Sequence, residues 1–462
     1  MSESPLFWSV TELLAAYRAG ELGPVEVAKD TLHRIGRYDG TLHAYLAVLE
    51  GELLAQAETA AAEYARGGSG PLLGVPLAIK DAFHVAGAVT TCGSTFFAGQ
   101  VAKHDSGAPR RLRAAGALFV GKTNTPEFCQ SATTDNLLGP DTANPWDPAR
   151  TSGGSSGGSA AAVGAGMANA ALGSDGGGSI RVPAAFTGLV GVKPTPGLCP
   201  DERGFATMSD FASAGPLART VADARLLLEV LADRTYDVQR GRTGLRVGWC
   251  PRPDDAPVEP AVLAEVTRAA QLLGDVGHRV GEVDVPLAGW ESIFSPLVLA
   301  EEHRERGHLL DIDPQRLTEY ARRSLQAGRS LTPAAVETAI AELPLFRARV
   351  REFFDTVDVV VCPTVAMPAF PLGERPGTVD GQRVRRLWGA FPYTSPFNVA
   401  GTSAVTLPCG LVDGLPVGVQ LVAAPGGEAL LLDVAEDLEE ALAFDATALS
   451  AHWPGSLLAE PA

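Results

Sequence analysis

The chain has 462 residues, of which 46% are hydrophobic and 20% are charged, and its formal net charge is −17 at pH 7. A chain of this length buries a sizeable core without support from metal ions or disulfide bonds. The negative charge argues against nucleic acid or an anionic membrane surface as an electrostatic partner.

The periodicity of apolar residues predicts helices and strands that alternate along the chain. The predicted helices are Ser9–Arg18, Val25–Tyr38, Ala44–Arg66, Pro109–Ala115, Ala160–Ala171, Val221–Ala232, Glu259–Val276, the mainly helical stretch Trp290–Val350, and Leu430–Ala443. The predicted strands are Pro71–Ile79, Ala117–Val120, Leu245–Trp249, His278–Val283, Val357–Cys362, Ala404–Leu407 and Val417–Val422. This alternation predicts one large α/β domain with a mixed sheet and helices on both faces.

The N-terminus and the cysteines give an expectation about the compartment. Met1–Pro5 lacks the basic and apolar regions of a signal peptide. The longest stretch of low charge, Gly153–Ile180, is too rich in glycine and serine to span a membrane. Six scattered cysteines favour reduced thiols over a metal site or a disulfide framework. We therefore expect a cytoplasmic protein.

Two glycine–serine segments flank the apolar stretch Ala160–Leu172. They are Thr151–Ser159 and Gly173–Arg181. A flexible linker would not alternate with a compact apolar helix. Two such loops at the ends of one buried helix would bring serine hydroxyls and bare backbone N–H groups together, as a hydrolase presents a nucleophile and an oxyanion pocket.

Ser179 is the predicted nucleophile. It follows Gly176, Gly177 and Gly178, so the N–H groups of Gly176–Ser179 can point at one oxygen without interference from a Cβ atom. Donors arranged in this way stabilise a tetrahedral oxyanion. An ordinary glycine-rich turn is the alternative interpretation.

Lys80 is the predicted base that activates the serine hydroxyl. None of the eight histidines lies in a glycine–serine context, whereas Lys80 ends the apolar run from Val75 to Ile79. Burial disfavours the ammonium form of a lysine, and Ser–Lys pairs are a variant of the catalytic triad. The alternative is that neighbouring Asp81 holds Lys80 protonated.

Three motifs resemble the amidase signature family, whose members are serine amide hydrolases with a Ser–cis-Ser–Lys triad. The motifs are Gly74–Asp81, Gly153–Ser159 and Gly173–Arg181, with 75 residues from Lys80 to Ser155 and 24 from Ser155 to Ser179. Weaker matches at Asn144–Asp147, Lys193–Thr195, Val361–Thr364 and Gly414–Gln420 extend the resemblance over nearly the whole chain. The family's fold implies a helical segment 1–65 packed on a domain 66–445, with an insertion at about 290–350 near the substrate pocket.

The resemblance also implies how the triad works. Ser155 passes a proton from Ser179 towards Lys80, and the peptide bond between Gly154 and Ser155 is cis. Ser156 is the rival for the relay role, and the family pattern favours the first serine of the pair.

The resemblance assigns further residues near the substrate. Cys129 stands where the family uses a backbone carbonyl near the substrate's nitrogen, although a buried thiol without chemistry is an equal alternative. The family usually has a side chain at the position of Gly176, so glycine would keep the N–H donor but widen the pocket. Asp175 and Arg181 would pair to fix the loop, or else touch substrate. No metal ion or organic cofactor is implied.

Two strings match other motifs but do not fit their context. Gly116–Thr123 satisfies the phosphate-loop pattern, yet its apolar centre predicts a strand and Pro126 disfavours the required helix. Gly153–Gly157 satisfies the nucleophile-elbow pattern, but no apolar strand precedes it.

These features predict a serine amidase that converts a small-molecule amide into an acid and an amine. The alternative is an A-type subunit of a glutamyl-tRNA amidotransferase, although its usual Ser-Ser-Thr-Glu-Asn-Ser run appears here only as Ser131–Asn136. A catalytically silent binding module is a third hypothesis. A homodimer is possible, and neither nucleic acid nor a membrane is expected as a direct partner.

The substrate is left open by the sequence. Trp290–Val350 and Gly381–Phe397 are expected to shape the acyl pocket. Arg385, Trp388 and Tyr393 would line it, or else lie on the surface or in the core.

Overall fold

The computed structural model describes residues 4–200, 202, 204, 206–385 and 391–454. The helices are α1 (Val10–Ala19), α2 (Pro24–Leu42), α3 (Glu50–Ala65), α4 (Gly107–Ala114), α5 (Gly157–Gly164), α6 (Arg181–Thr187), α7 (Val221–Ala232), α8 (Pro260–Asp275), α9 (Trp290–Arg306), α10 (Leu309–Ile312), α11 (Glu319–Arg329), α12 (Pro333–Phe353), α13 (Ser395–Ala400), α14 (Glu428–Leu442) and α15 (Thr447–His452). Within the described ranges, no helix is long and apolar enough to cross a bilayer.

The strands are β1 (Tyr45–Val48), β2 (Pro76–Lys80), β3 (Leu118–Thr123), β4 (Ala143–Asn144), β5 (Asp147–Thr151), β6 (Ala170–Asp175), β7 (Val190–Lys193), β8 (Ser213–Ala218), β9 (Arg246–Trp249), β10 (Arg279–Glu282), β11 (Val359–Pro363), β12 (Thr378–Val379), β13 (Gln382–Arg383), β14 (Ser403–Val412) and β15 (Leu415–Ala423). Eleven of these strands form one mixed sheet in the order β1-β3-β2-β6-β8-β7-β14-β15-β11-β9-β10.

The inner strands β2, β3, β6 and β8 are buried along their whole length, which confirms the predicted α/β layers. Leu77 and Ile79 of β2 enter one apolar cluster, while Ala78 between them enters another on the opposite face. Successive side chains of a strand point to opposite faces, so both faces of β2 are covered. Strand β2 pairs in parallel with β3 on one side and with β6 on the other. These three strands carry the polar side chains described below, which are Lys80, Lys122, Ser174 and Asp175.

Two predicted helices are partly wrong. Ala44–Arg66 begins with the edge strand β1, which pairs antiparallel with β3 before α3 starts at Glu50. Ala160–Ala171 is helical only to Gly164, and from Ala170 the chain is already strand β6. Gly166 adopts a left-handed conformation between them, with φ of +65°. Small apolar residues buried on all sides look alike in a helix and in a central strand, so periodicity did not separate them.

The other predictions agree more closely with the structure. Helix α7 has the predicted bounds, and α8, α14, β9 and β11 begin and end within two residues of them. The strand predicted from Pro71 begins at Pro76. The phosphate-loop string forms the wholly buried strand β3, as its apolar centre predicted.

Asp81, which the sequence left as an alternative partner of Lys80, forms an ion pair with Lys122. The two side chains are 2.6 Å apart and each is 1% exposed. Lys122 Nζ also donates to Thr90 Oγ1 at 2.9 Å, and the Asp81 carboxylate accepts from the Thr91 backbone N–H at 2.9 Å. This carboxylate is therefore engaged by a lysine other than Lys80.

Replacement of Lys122 is expected to destabilise the fold strongly. Lys122→Met would leave the Asp81 carboxylate buried without its cation, which typically lowers the free energy of unfolding by about 3–5 kcal/mol. Lys103→Met is the matched control, because Lys103 is exposed and such surface changes usually stay within about 0.5 kcal/mol. Urea denaturation measures both variants, and equal losses would contradict this assignment.

Candidate active site

The structure brings the amine of Lys80 against the hydroxyl of Ser155. Lys80 ends β2, and Ser155 lies in the loop between β5 and α5. The Lys80 Nζ and Ser155 Oγ atoms are 2.6 Å apart. Nζ also lies 3.0 Å from Ser174 Oγ and 3.3 Å from the Ser174 carbonyl oxygen. Lys80 and Ser155 have no exposed surface, so the contact between them is screened from solvent.

The loop around Ser155 has the predicted cis peptide bond. The bond between Gly154 and Ser155 is cis, and a Cβ atom at Gly154 would lie 2.6 Å from the Thr133 carbonyl oxygen. The Thr125 hydroxyl donates to the Ser155 carbonyl at 2.9 Å. Glycine at 154 therefore allows the segment around Thr133 to pack directly on this loop.

Ser156 makes different contacts from its neighbour Ser155. Its backbone N–H donates to the Ser179 carbonyl at 3.0 Å, which joins the two serine loops. Its hydroxyl lies 3.3 Å from the backbone of Ser174. Of the two adjacent serines, Ser155 is therefore the one whose hydroxyl contacts Lys80.

Ser179 lies in the turn between β6 and α6 and keeps some exposure. Its exposed fraction is 6%, whereas Lys80 and Ser155 are completely covered. Among the described residues, the Ser179 hydroxyl has no hydrogen-bond partner. Catalytic hydrogen bonds are often long in a ligand-free site and tighten when substrate binds. The hydroxyl is thus accessible at the edge of an otherwise buried polar cluster.

The structure changes the predicted set of free N–H donors. The Gly178 N–H donates to Asp175 Oδ1 at 2.7 Å, so it is not directed at a ligand. The amides of Gly176, Gly177 and Ser179 make no hydrogen bond to a described residue. The Gly177 carbonyl accepts from the hydroxyls of Thr394 and Ser395 at 2.7 and 2.9 Å. Two side chains from distant sequence therefore fix the orientation of this loop.

Asp175 and Arg181 form a fully buried bidentate pair. Arg181 donates to the two carboxylate oxygens at 2.9 and 2.8 Å. Burial alone would raise the pKa of Asp175, but the adjacent Arg181 guanidinium holds that pKa well below its usual range. Arg181 also donates to Gln420 Oε1 at 2.6 Å and to Asn398 Oδ1. These contacts support the structural role of the pair, which fixes the loop.

Met208 fills the space that glycine at position 176 leaves open. A Cβ atom at Gly176 would lie 2.7 Å from Met208 Sδ and 3.0 Å from Met208 Cβ. The expected widening of the pocket is therefore offset by a side chain about thirty residues further along the chain, which is itself buried.

Cys129 is buried beside Thr125. Its Sγ lies 3.4 Å from the Thr125 hydroxyl oxygen, and its backbone φ is +60°. Because the Thr125 hydroxyl also contacts the Ser155 carbonyl, Cys129 lies behind the loop that carries Ser155. The next residue, Gln130, lines the cavity described below.

A cavity of about 1090 Å³ lies near the loop Gly176–Ser179, although no residue of that loop lines it. Its lining comes from residues 130–141, α9, the start of α11 and Leu372–Arg375, together with Met208 and Ser395. Helices α9 and α11 belong to the predicted pocket region 290–350. The cavity approaches Gly176 and Gly177 through the side chains of Met208 and Ser395.

Of the three residues proposed for the pocket wall, two are placed by the structure. Arg385 lines the cavity and forms an ion pair with Glu291 at 2.9 Å. Tyr393 is a core residue, whose hydroxyl donates to the carbonyls of Ala256 and Pro257. Trp388 lies outside the described residues.

Several residues that contact the site could not be predicted from a motif in the sequence. Ser174, Met208, Thr394 and Ser395 contact the predicted residues but stand in no motif that assigns them a role. Ser174 belongs to the second glycine–serine segment, so its proximity to Lys80 follows only once β2 and β6 are known to pair. Among the described residues, no group of three or more His, Cys, Asp or Glu side chains is placed to hold a metal ion.

Removing one member of the Asp175–Arg181 pair is expected to cost more stability than the pair as a whole contributes. Asp175→Asn and Arg181→Met each leave one buried charge without its partner, which typically costs about 3–5 kcal/mol. The double variant should lose less than the sum of the two single losses, which a double-mutant cycle of urea denaturation measures. Because the folded pKa of Asp175 is lowered, its contribution is present above about pH 4 and is lost as the pH falls. Additive losses would contradict the coupling.

Gly176 and Met208 are expected to be coupled in stability. Gly176→Ala should overpack the site and cost about 1–3 kcal/mol, because the new methyl group meets Met208. In the background of Met208→Ala, which removes Sδ but keeps Cβ, the same change should cost less. The thermal midpoints of the four proteins test this, and an equal drop in both backgrounds would contradict it.

Comparison with known proteins agrees with the fold. A family model described as Amidase matches residues 26–432. The A-type subunit of the glutamyl-tRNA(Gln) amidotransferase from Chromohalobacter salexigens is 34% identical, over 94% of this chain and 96% of its own. An acylamidase of Rhodococcus erythropolis is 34% identical, over 95% and 96%. A crystal structure of an amidase, 32% identical, superimposes with a TM-score of 0.88 over 94% of this chain and 99% of that one. The chain therefore belongs to the amidase signature family of hydrolases that act on C–N bonds.

Proposed function

We propose that the protein is a serine amidase in which Ser179 attacks the amide carbonyl and Lys80 acts as the base through Ser155. The 2.6 Å contact between Lys80 Nζ and Ser155 Oγ in a solvent-free environment supports this proposal above all. A neutral lysine amine has two N–H donors and one lone pair. The donors fit the hydroxyl and carbonyl of Ser174, and the lone pair is then directed at the Ser155 proton.

The first half of the reaction forms an acyl-enzyme. The Ser179 proton moves to Ser155, and the Ser155 proton moves to the Lys80 amine, which becomes ammonium. Ser179 Oγ bonds to the carbonyl carbon, and the resulting oxyanion accepts from the amides of Gly176, Gly177 and Ser179. The relay then returns a proton to the nitrogen of the leaving amine, and the C–N bond breaks.

The second half releases the acid. Water gives its proton to the same relay and attacks the acyl carbonyl, so that the Ser179–carbonyl bond breaks and Ser179 recovers its proton. Each step conserves protons within the three side chains and the substrate.

A second candidate function is release of ammonia from glutamine for a partner protein. The 34% identity to the A-type subunit of an amidotransferase favours it. The run that is typical of that subunit is, however, only weakly matched here, by Ser131–Asn136. In this chain Arg375 forms an ion pair with Asp135 of the run at 2.9 Å and contacts Ser131 and Thr133. Hydrolysis of simple amides by the isolated chain would favour the amidase. Glutaminase activity that appears only with a partner would favour the transferase.

Replacement of the relay residues is expected to abolish turnover without unfolding the protein. Lys80→Met, Ser155→Ala and Ser179→Ala should each lower kcat/KM for an amide by about 10³-fold or more, since positioned acid–base groups alone typically contribute 10²–10⁴-fold. Ser179→Ala should also prevent labelling by a fluorophosphonate.

The neighbouring serine supplies the control for this experiment. Ser156→Ala removes an equivalent hydroxyl that contacts only the backbone of Ser174, so its loss should be far smaller than that of Ser155→Ala. Equal losses in the two variants, or undiminished turnover in Lys80→Met, would overturn the proposed relay.

A further inference from the structure

Gln130 presents an unsatisfied carboxamide at the cavity. The residue is 5% exposed and lines the cavity. Neither Oε1 nor Nε2 of its side chain has a hydrogen-bond partner among the described residues, and both atoms are buried. Buried polar groups are nearly always hydrogen-bonded in native structures. Because neither polar atom has accessible surface, the carboxamide must turn towards the cavity before a group there can supply its partners.

The position of Gln130 links it to the reacting groups. It follows Cys129, whose thiol contacts the Thr125 hydroxyl, and this hydroxyl in turn contacts the Ser155 carbonyl. Met208 and Ser395 line the same cavity and lie against Gly176 and Gly177. A substrate whose amide reaches the oxyanion loop therefore extends into the cavity that Gln130 lines.

The charges of the cavity wall are largely compensated within the protein. Three ion pairs join lining residues to each other: Arg375 with Asp135, Arg385 with Glu291, and Arg323 with Glu319. Burial and the nearby Asp135 raise the pKa of Asp141, which favours its uncharged form. Glu374 also lines the wall and has no ion-pair partner among the described residues, whereas all three arginines are paired. The wall therefore offers no free cation and favours a neutral polar group over an anion.

We propose that Gln130 determines specificity by pairing with a second, neutral amide-like group of the substrate. A carboxamide offers one acceptor and a donor pair, so its complement is a group that offers a donor and an acceptor, such as an amide, a lactam or a urea. The inference rests on the proposed amidase function. Gln130 binds substrate away from the bond that breaks.

The test compares matched substrates in matched variants. Primary amides with one to five methylenes would end either in a second carboxamide or in an isopropyl group of similar shape. At the best length, wild-type protein should favour the diamide by at least about tenfold in kcat/KM. Gln130→Met should lower the diamide's kcat/KM by about 10–100-fold, chiefly through KM, and leave the isopropyl substrate unchanged or improved. A site built for hydrogen bonding rejects analogues that lack the group.

Two further measurements separate recognition from a structural role. Gln130→Met removes an unpartnered buried polar group, so its thermal midpoint should equal or exceed that of the wild type. Gln130→Glu, which keeps the acceptors but loses the donors, should lose the diamide preference as well. A lowered midpoint in Gln130→Met, or an equal effect on both substrates in either variant, would overturn the inference.

The outcomes also distinguish this inference from the proposed function. If wild-type protein hydrolyses no amide and a fluorophosphonate does not label Ser179, the proposed function fails and the inference fails with it. If wild-type protein hydrolyses both substrate types and the Gln130 variants leave their ratio unchanged, only the role of Gln130 fails.

Discussion

The buried pair between Asp175 and Arg181 is the interaction on which the arrangement of the site depends. Asp175 ends a central strand, and its carboxylate also accepts from the Gly178 N–H, so the pair sets the path of the glycine loop. Arg181 extends the constraint to Asn398 and Gln420, more than two hundred residues further along the chain. A buried ion pair is weak support for stability as such. Here its geometry fixes the path of the loop whose amides are proposed to bind the oxyanion.

The sheet holds three buried lysines, Lys80, Lys122 and Lys193, and the first two lie on adjacent strands in surroundings that give them different roles. Lys122 lies 2.6 Å from the Asp81 carboxylate. Lys80, on the adjacent strand, contacts the hydroxyls of Ser155 and Ser174. Because Asp81 is engaged by Lys122, the structure separates the charge that stabilises the sheet from the amine proposed as the base. Lys80 and Lys122 share residue type and burial, and they differ in their nearest partners.

The chemistry of the site was more predictable from the sequence than its three-dimensional support. Lys80, Ser155 and Ser179 lie in short motifs, and a motif carries its own local geometry. The role predicted for Gly178 was wrong in part. Its N–H donates to Asp175, and this contact forms only once the loop has folded back. The helix predicted to Ala171 failed for a related reason: a central strand covered on both faces has no alternating pattern to distinguish it from a buried helix.

The triad residues and the cavity are built in different ways. This difference explains why the sequence predicts the triad residues but not the cavity. The relay comes from the ends of paired strands and two short loops. The cavity combines α9, α11 and Leu372–Arg375, where ion pairs such as Arg375–Asp135 join distant segments. A fold does not fix a substrate, since an acylamidase and an amidotransferase subunit both resemble this chain over nearly its whole length. For this chain, we expect the wall around Gln130 to set the specificity.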